Sequence, residues 1–262
     1  MPSRESIAPY AQRAIAQQGQ HQIIFANNIN SPGAIDEQTP DGKRLVSNIA
    51  GLMYYDPTTG QSVQIAEIQD SEGQLVTDNQ VLYTNAFNGV KADVLLTYRR
   101  DGMEQDVVLR AQLPTPESFG LNSSTVELEV VTEFLNPPEA NVWNLGMDTE
   151  GLEPDQAVSW GATSLGHGKA FSLDGHDASA TVIKQYINLG GHYYLLEKVR
   201  FQEIQRLSLL CRNRLLTHTA CRAWHQRNSN CPRLRSPSTR LVPSGWREAP
   251  EDIRDMSLIM FP

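Results

Sequence analysis

The chain has 262 residues, of which 40% are hydrophobic and 20% charged, and its formal net charge is −8. These proportions are typical of globular proteins and exclude a chain that is disordered throughout. No run approaches the ~20 apolar residues that a membrane-spanning helix needs, so we expect no membrane-spanning segment. Residues 1–20 contain no apolar run of signal-peptide length.

The net charge is unevenly distributed along the chain. Residues 1–203 carry a net charge of −14, residues 204–247 carry nine arginines and no acid, and residues 248–262 carry a net charge of −3. An acidic surface repels nucleic acid and anionic lipid. We therefore expect no binding of nucleic acid by the acidic body of the protein.

The first predicted elements are short. Residues 1–20 are expected to form a tail or a short helix, because Ile7, Ala11 and Ala14 can share a helical face. From Arg44 the period of the apolar residues changes to two, and turn sequences separate the alternating runs. We therefore predict one β-rich domain over residues 21–204.

Two segments carry the clearest strand patterns. A hairpin is predicted over Ala92–Leu113, with Asp101 and Gly102 at its turn. Over Thr125–Leu135, apolar residues alternate with acidic and polar ones, which predicts a half-buried strand with one face in water. The positions expected to be buried in these two segments are Leu96, Tyr98, Val108, Val126, Leu128, Val130 and Phe134, and those expected in water include Glu127, Glu129 and Glu133.

A further hairpin is predicted where Gly190-Gly191 joins two alternating runs. Many short strands without a long helical period predict a mostly β fold. We expect an antiparallel β-sandwich or an irregular two-sheet domain, followed by a disordered tail.

The tail, residues 205–262, differs in composition from the rest of the chain. Residues 206–247 contain no Ile, Phe, Tyr, Met, Lys, Asp or Glu, and Arg, Leu and Ser fill 21 of the 42 positions. One interpretation is a basic arm that binds nucleic acid. The interpretation we favour is a coding segment translated out of frame, because few periodic apolar residues remain to build a core.

Motif searches predict neither a cofactor nor a catalytic site. Gly166-His167-Gly168-Lys169 lacks the upstream glycine and the following Ser or Thr of a phosphate loop. Cysteine and histidine residues between Cys211 and His225 lack the closely spaced first pair of a zinc site. The nucleophile motif G-x-S-x-G does not occur. We therefore expect a protein that uses no cofactor or metal and is not an enzyme.

The aromatic residues Trp143, Trp160, Tyr193 and Tyr194 are the candidate ligand-binding residues. Flat aromatic faces stack on the apolar faces of ligands such as sugars. The alternative is that these large side chains belong to the β core.

Four stretches together resemble the N-terminal β-rich region of large secreted bacterial modular proteins that contain RHS/YD repeats or laminin-G modules. The stretches are Gly51–Asp70, Val81–Gln112, Val126–Pro138 and Val158–Phe171. The resemblance covers about residues 20–204 and includes no catalytic motif. It implies an extracellular or cell-surface location, and a chain truncated and frameshifted after about residue 205.

The function expected from this resemblance is that of a non-enzymatic structural or interaction module. Its partners would be neighbouring modules or glycans. A carbohydrate-binding module is the first alternative and a hydrolase is the second.

Overall fold

The computed structural model describes residues 7–10, 13–16, 19–146, 154–172, 179–214 and 257–261. Within these residues the chain is mostly β, which confirms the predicted fold class. The elements are β1 (Ala8–Tyr10), β2 (Arg13–Ala16), β3 (Gln22–Ala26), β4 (Ile35–Gln38), β5 (Arg44–Asp56), β6 (Gln61–Ile68), β7 (Gly73–Thr77), β8 (Gln80–Tyr83), β9 (Phe87–Asn88), β10 (Ala92–Arg99), β11 (Gly102–Leu109), a 3-10 helix (Pro116–Phe119), β12 (Glu127–Phe134), β13 (Asn141–Asn144), β14 (Gln156–Ser159), β15 (Gly168–Ser172), β16 (Ser179–Leu189), β17 (His192–Arg200), α1 (Phe201–Arg214) and β18 (Ser257–Phe261).

One continuous antiparallel path links most of the strands, in the order β1-β2-β3-β4-β5-β12-β17-β16-β15-β18-β11-β10-β8-β7. Strand β6 adds to β5 and carries β9, while β13 and β14 form a separate pair. The path bends at β16, whose first residues pair with β15 and whose remainder pairs with β17. A strand that changes partners in this way makes the corner between two layers.

The two halves of the path pack face to face. Gln105 of β11 donates a side-chain hydrogen bond to the Thr132 hydroxyl of β12 at 3.0 Å, although several strands separate them along the path. Tyr83 of β8 donates its hydroxyl proton to the backbone carbonyl of Ala26 at the end of β3, at 2.6 Å. A buried tyrosine hydroxyl needs such a partner. Both hydrogen bonds join strands from the two halves of the path, so they hold these halves against each other.

The core between the layers consists of residues from both halves. All seven positions predicted to be buried are buried in the structure: Leu96, Tyr98, Val108, Val126, Leu128, Val130 and Phe134. The predicted hairpin is present as β10 and β11, with Arg99 opposite Gly102. Alternation of apolar and polar residues therefore identified the inner face of β10 and β12 correctly, whereas Val108 is buried on the face of β11 opposite to Val107 and Leu109 of the core.

The acidic face of β12 differs from expectation, because Glu127 and Glu129 are only 4% exposed. Strand β12 lies between β5 and β17 in the middle of the sheet, so side chains of both neighbours pack beside its outward-facing residues. Glu129 is opposite Lys198 of β17 in register, and an ion pair with this lysine offsets the cost of burying the carboxylate. Glu133, near the end of the strand, is partly exposed.

The N-terminal residues form a hairpin instead of the expected tail or helix. Strands β1 and β2 pair antiparallel, and β2 continues the sheet onto β3. Ala14 and Ala16 are both fully buried while Ile15 is partly exposed, so the burial period is two. Small residues at alternate positions fit against the inner face of the sheet, and this packing outweighs the helical propensity of alanine.

The regular structure extends past residue 204, the expected end of the β domain. Helix α1 buries Phe201, Ile204 and Leu207 at three-residue intervals against the core. The short apolar strand β18 pairs between β11 and β15. The rest of the predicted tail, residues 215–256 and 262, lies outside the described residues. No helix within the described residues is long and apolar enough to cross a membrane.

Candidate ligand-binding groove

The outer face of the sheet forms a groove of about 590 Å³ across strands β6, β5, β12, β17 and β16. This face is opposite to the one that packs into the core, since Leu128 and Val130 of β12 point inward and Glu129 and Val131 line the groove. Apolar lining side chains are those of Met53, Val131, Ile187, Leu189 and Leu196, and aromatic or polar ones are those of Tyr55, Ser62, Gln64, Glu129, Gln185, Tyr194 and Lys198. We call this feature the outer groove.

Cross-strand pairing arranges the lining residues in rows. One row runs from Met53 through Glu129 to Lys198, which are opposite one another on β5, β12 and β17. The next row on the same face runs from Gly51 through Val131 to Leu196 and Gln185. Directly opposite residues of antiparallel strands hold their side chains side by side. The floor is therefore set by the sheet itself and not by loops.

An ion pair forms the polar centre of the floor. The Lys198 ammonium is 3.2 Å from a carboxylate oxygen of Glu129, and the two side chains are 4% and 5% exposed. The same ammonium lies 4.6 Å from the centre of the Tyr55 ring, within range of a cation–π interaction. The groove thus has one positive and one negative group that neutralise each other, surrounded by apolar side chains.

Position 51 in the groove floor has no room for a side chain, because the backbone of β6 lies too close to it. A Cβ atom at this position would lie 2.3 Å from the carbonyl oxygen of Ala66 on β6. The pairing between β5 and β6 shifts register between Leu52 and Met53, where a bulge brings the two backbones together. Glycine is the residue that permits this approach.

Tyr194 stands at one end of the groove next to two polar groups. Its ring stacks on the His192 ring with 6.3 Å between centroids and 21° between planes. The imidazole Nδ1 is 2.8 Å from a carboxylate oxygen of Glu133, the residue opposite Tyr194 on β12. These contacts hold the tyrosine ring in place while leaving it partly exposed.

The four predicted aromatic residues do not form one platform. Trp160 is 1% exposed and packs between Phe134 and Tyr186 in a small second core. Tyr193 contributes to the same core, on the opposite face of β17 from Tyr194. Trp143 is 49% exposed on β13, in the separate two-stranded sheet. Of the four, Tyr194 alone lines the outer groove.

Charged groups are also buried on the inner side of β16 and β17. Lys184 is opposite Glu197 in register, and its ammonium is 3.3 Å from Asp155. Burial raises the pKa of Glu197 well above its ordinary value, and the nearby charge of Lys184 partly offsets this rise. Asp155 also accepts a hydrogen bond from the backbone N–H of Lys184. Asp155 thereby covers the edge of β16 beyond its pairing with β15, and its side chain is 18% exposed.

Asp106 of β11 is fully buried. Burial and, to a smaller extent, the charge of Glu104 raise its pKa to about 8, although the nearby charge of Arg99 lowers the pKa. Neither carboxylate oxygen has a hydrogen-bond partner among the described residues.

Within the described residues, no three His, Cys, Asp or Glu side chains are grouped so that they could hold a metal ion. His218, Cys221 and His225, which belong to the rejected zinc pattern, lie outside the described residues.

The outer groove was not predicted from the sequence. Its residues come from five strands, several of them distant from one another in the chain. Each strand by itself shows only an alternation of apolar and polar residues. One signal was present, since Glu129 and Lys198 carry opposite charges and lie within alternating strands. Their meeting depends on the register between β12 and β17, which a single sequence does not fix.

Comparison of the chain with protein-family models, with curated proteins and with solved structures gives no match. The resemblance to modular secreted proteins therefore stays an expectation from the sequence.

Proposed function

We propose that the protein is a non-enzymatic interaction module that binds a partner in the outer groove. The observation that carries this proposal is the composition of the groove, an apolar surface around the enclosed pair of Glu129 and Lys198. A contiguous patch of accessible apolar side chains with polar groups around it is typical of surfaces used for association. Leu189, at the rim, is 60% exposed.

The occupant that fits this surface best is an extended segment of a partner protein with apolar side chains. Val131 and Leu196 lie side by side on β12 and β17, and Met53 lies in the adjacent row on β5, so all three offer contact to such side chains. The ion pair is neutralised internally, so the groove floor favours no net charge on the ligand. Binding energy would come mainly from apolar burial, at about 25 cal/mol per Å² before the cost of association.

A glycan is the second candidate occupant, and a separate observation favours it. Tyr55 and Tyr194 present aromatic rings to the groove, and Gln64 and Gln185 supply amide groups. Rings that stack and amides that hydrogen-bond are the groups that bind sugars. This candidate corresponds to the carbohydrate-binding module expected as the first alternative.

The test exposes the full-length chain to an array of short peptides and to an array of oligosaccharides. Leu196→Arg places a charged side chain on the groove floor, and Tyr194→Ala removes the exposed ring. Val142→Arg is the matched control, because Val142 is 41% exposed on the separate β13–β14 sheet. All variants are first checked for an unchanged circular dichroism spectrum.

We expect binding to apolar peptides that Leu196→Arg abolishes and Val142→Arg preserves. Binding to oligosaccharides that is lost in Tyr194→Ala would instead support the second candidate. Binding that neither groove variant changes, or no binding to either array, would contradict the proposal.

A further inference from the structure

The C-terminal strand β18 fills a slot between two other strands. Its residues pair with Gln105–Leu109 of β11 on one side and with Lys169–Ser172 of β15 on the other. Among the described residues, β18 is the element that joins β15 to β11 in the sheet. The backbone groups of both flanking strands therefore need an extended segment at this place.

At one position along its length, the slot between β11 and β15 favours an apolar residue. Position 259 is opposite Val107 on β11 and opposite Ala170 on β15. Val107 and Ala170 are both fully buried. An apolar residue fits between two buried apolar neighbours, and Ile259 meets this requirement.

At the next position along β18, the residue type in the slot does not suit the polar group opposite it. Position 260 is opposite Asp106, whose carboxylate is fully buried and has no hydrogen-bond partner among the described residues. The residue at position 260 is a methionine, and a thioether has no proton to donate. Lys169 is opposite position 260 on the other side, and it is exposed to solvent. A buried carboxyl group whose oxygens have no hydrogen-bond partner is costly in either protonation state, so the slot lacks a group that Asp106 requires.

We propose that the slot between β11 and β15 is a binding site for a β-strand of a partner protein that carries Lys or Arg opposite Asp106 and an apolar residue opposite Val107. The ammonium or guanidinium group supplies the missing donor, and the main chain pairs with both flanking strands as in strand addition. Ser257–Phe261 is the weaker occupant that the partner strand displaces. This site is on a different part of the sheet from the outer groove and does not depend on the proposed function.

Displacement is compatible with the connectivity of the chain. Residues 215–256 separate the end of α1 from the start of β18, which is 42 residues of chain. Such a length reaches up to about 140 Å when extended. Strand β18 can therefore leave the slot while α1 and β17 keep their places.

The test measures binding of three fluorescent peptides to the full-length chain by anisotropy. Their sequences are those of residues 257–261 with Met, Lys or Glu at the fourth position. We expect the peptide with lysine to bind roughly tenfold more tightly than the one with methionine, as a charge-assisted hydrogen bond provides, and the one with glutamate to bind least. In an Asp106→Asn chain the preference for lysine should disappear, while a Lys169→Gln chain should keep it.

A measurement within the chain keeps the test decisive if the native strand is hard to displace. Met260→Lys should raise the melting temperature, and Met260→Lys combined with Asp106→Asn should show no rise over Asp106→Asn alone. No rise with Met260→Lys would overturn the proposed preference for a basic residue. A rise without binding of the lysine peptide would overturn the assignment of the slot to a separate partner strand.

Discussion

Lys198 and Glu129 face each other across β17 and β12, with the ammonium nitrogen 3.2 Å from a carboxylate oxygen. Their side chains are 4% and 5% exposed, although they form the floor of an open groove. Where solvent is largely excluded, each charge depends on the other for its stability. The same ion pair therefore contributes to the stability of β12 and β17 and forms the polar part of the groove floor.

Removing one member of the pair should destabilise the fold strongly. Lys198→Met leaves the Glu129 carboxylate buried without its ammonium, and we expect a loss of about 3–5 kcal/mol in the free energy of unfolding. Urea denaturation at equilibrium measures this quantity. The double variant Glu129→Leu with Lys198→Met should recover most of the loss, because no uncompensated charge remains.

An exposed ion pair supplies the control for this experiment. Arg44 pairs with Asp36, but its side chain is 66% exposed. Arg44→Ala should cost no more than about 1 kcal/mol. Equal effects of Lys198→Met and Arg44→Ala would show that solvent screens the groove pair as it does the surface pair.

Truncation of the inner face of β12 should be costly as well. Leu128 is fully buried in the core, so Leu128→Ala should lower the free energy of unfolding by about 2–5 kcal/mol. Leu189→Ala makes the same chemical change at a position that is 60% exposed, and it should have an effect within about 0.5 kcal/mol. Chemical denaturation of both variants compares the two sites, and similar losses would contradict the assigned inner face.

Some parts of this fold could be predicted from the sequence, for a physical reason. Leu128 and Val130 alternate with acids, and an alternation of period two puts apolar residues on the face that needs a core. The same pattern misplaced Glu129, because it shows which residues share a face and not what covers that face. A carboxylate is expected in water unless a partner is known, and Lys198 is distant in the chain.

The N-terminal hairpin and strand β18 were missed for a related reason. Ala14 and Ala16 are small residues with good helical propensity, and the sheet that receives them is formed by later parts of the chain. Strand β18 is five residues long and follows 42 residues that lie outside the described structure. Short segments take their conformation from tertiary contacts, which periodicity in a single sequence does not reveal.

The stability of the protein should fall as the pH rises from about 4 to 8 because of Asp106. Burial raises its pKa to about 8 in the folded chain, whereas the ordinary value is 3.8. A carboxyl group with the higher pKa in the folded state binds its proton more tightly there. Its contribution to stability is therefore complete below about pH 4, and it is lost as the pH rises through the folded value.

Asp106→Asn should remove this contribution to the pH dependence. At pH 8 the variant should be more stable than the parent chain, by an amount of the order of a few kcal/mol. Urea denaturation at several pH values between 4 and 8 measures the slope. Glu197, whose pKa is also raised, should leave a smaller slope of the same sign. A slope unchanged by Asp106→Asn would show that the Asp106 carboxyl titrates alike in the folded and unfolded chains.

The floor of the outer groove should not tolerate a side chain at position 51. In Gly51→Ala the new Cβ would lie 2.3 Å from the Ala66 carbonyl oxygen and 3.3 Å from the Gln64 amide nitrogen. The long Gln64 side chain can move, but the carbonyl oxygen belongs to the backbone of β6 and can move only with that strand. We expect a loss of about 1–3 kcal/mol in the free energy of unfolding, as for other overpacked sites.

A second substitution separates this backbone contact from side-chain crowding. Ala66→Gly removes the Ala66 methyl group and leaves its carbonyl oxygen in place, so it should not rescue Gly51→Ala in a double variant. Urea denaturation of the two single variants and the double variant measures the coupling between the sites. If Gly51→Ala were as stable as the parent chain, β5 and β6 would separate at the bulge without cost. The close approach of the two backbones would then not be what shapes the groove floor.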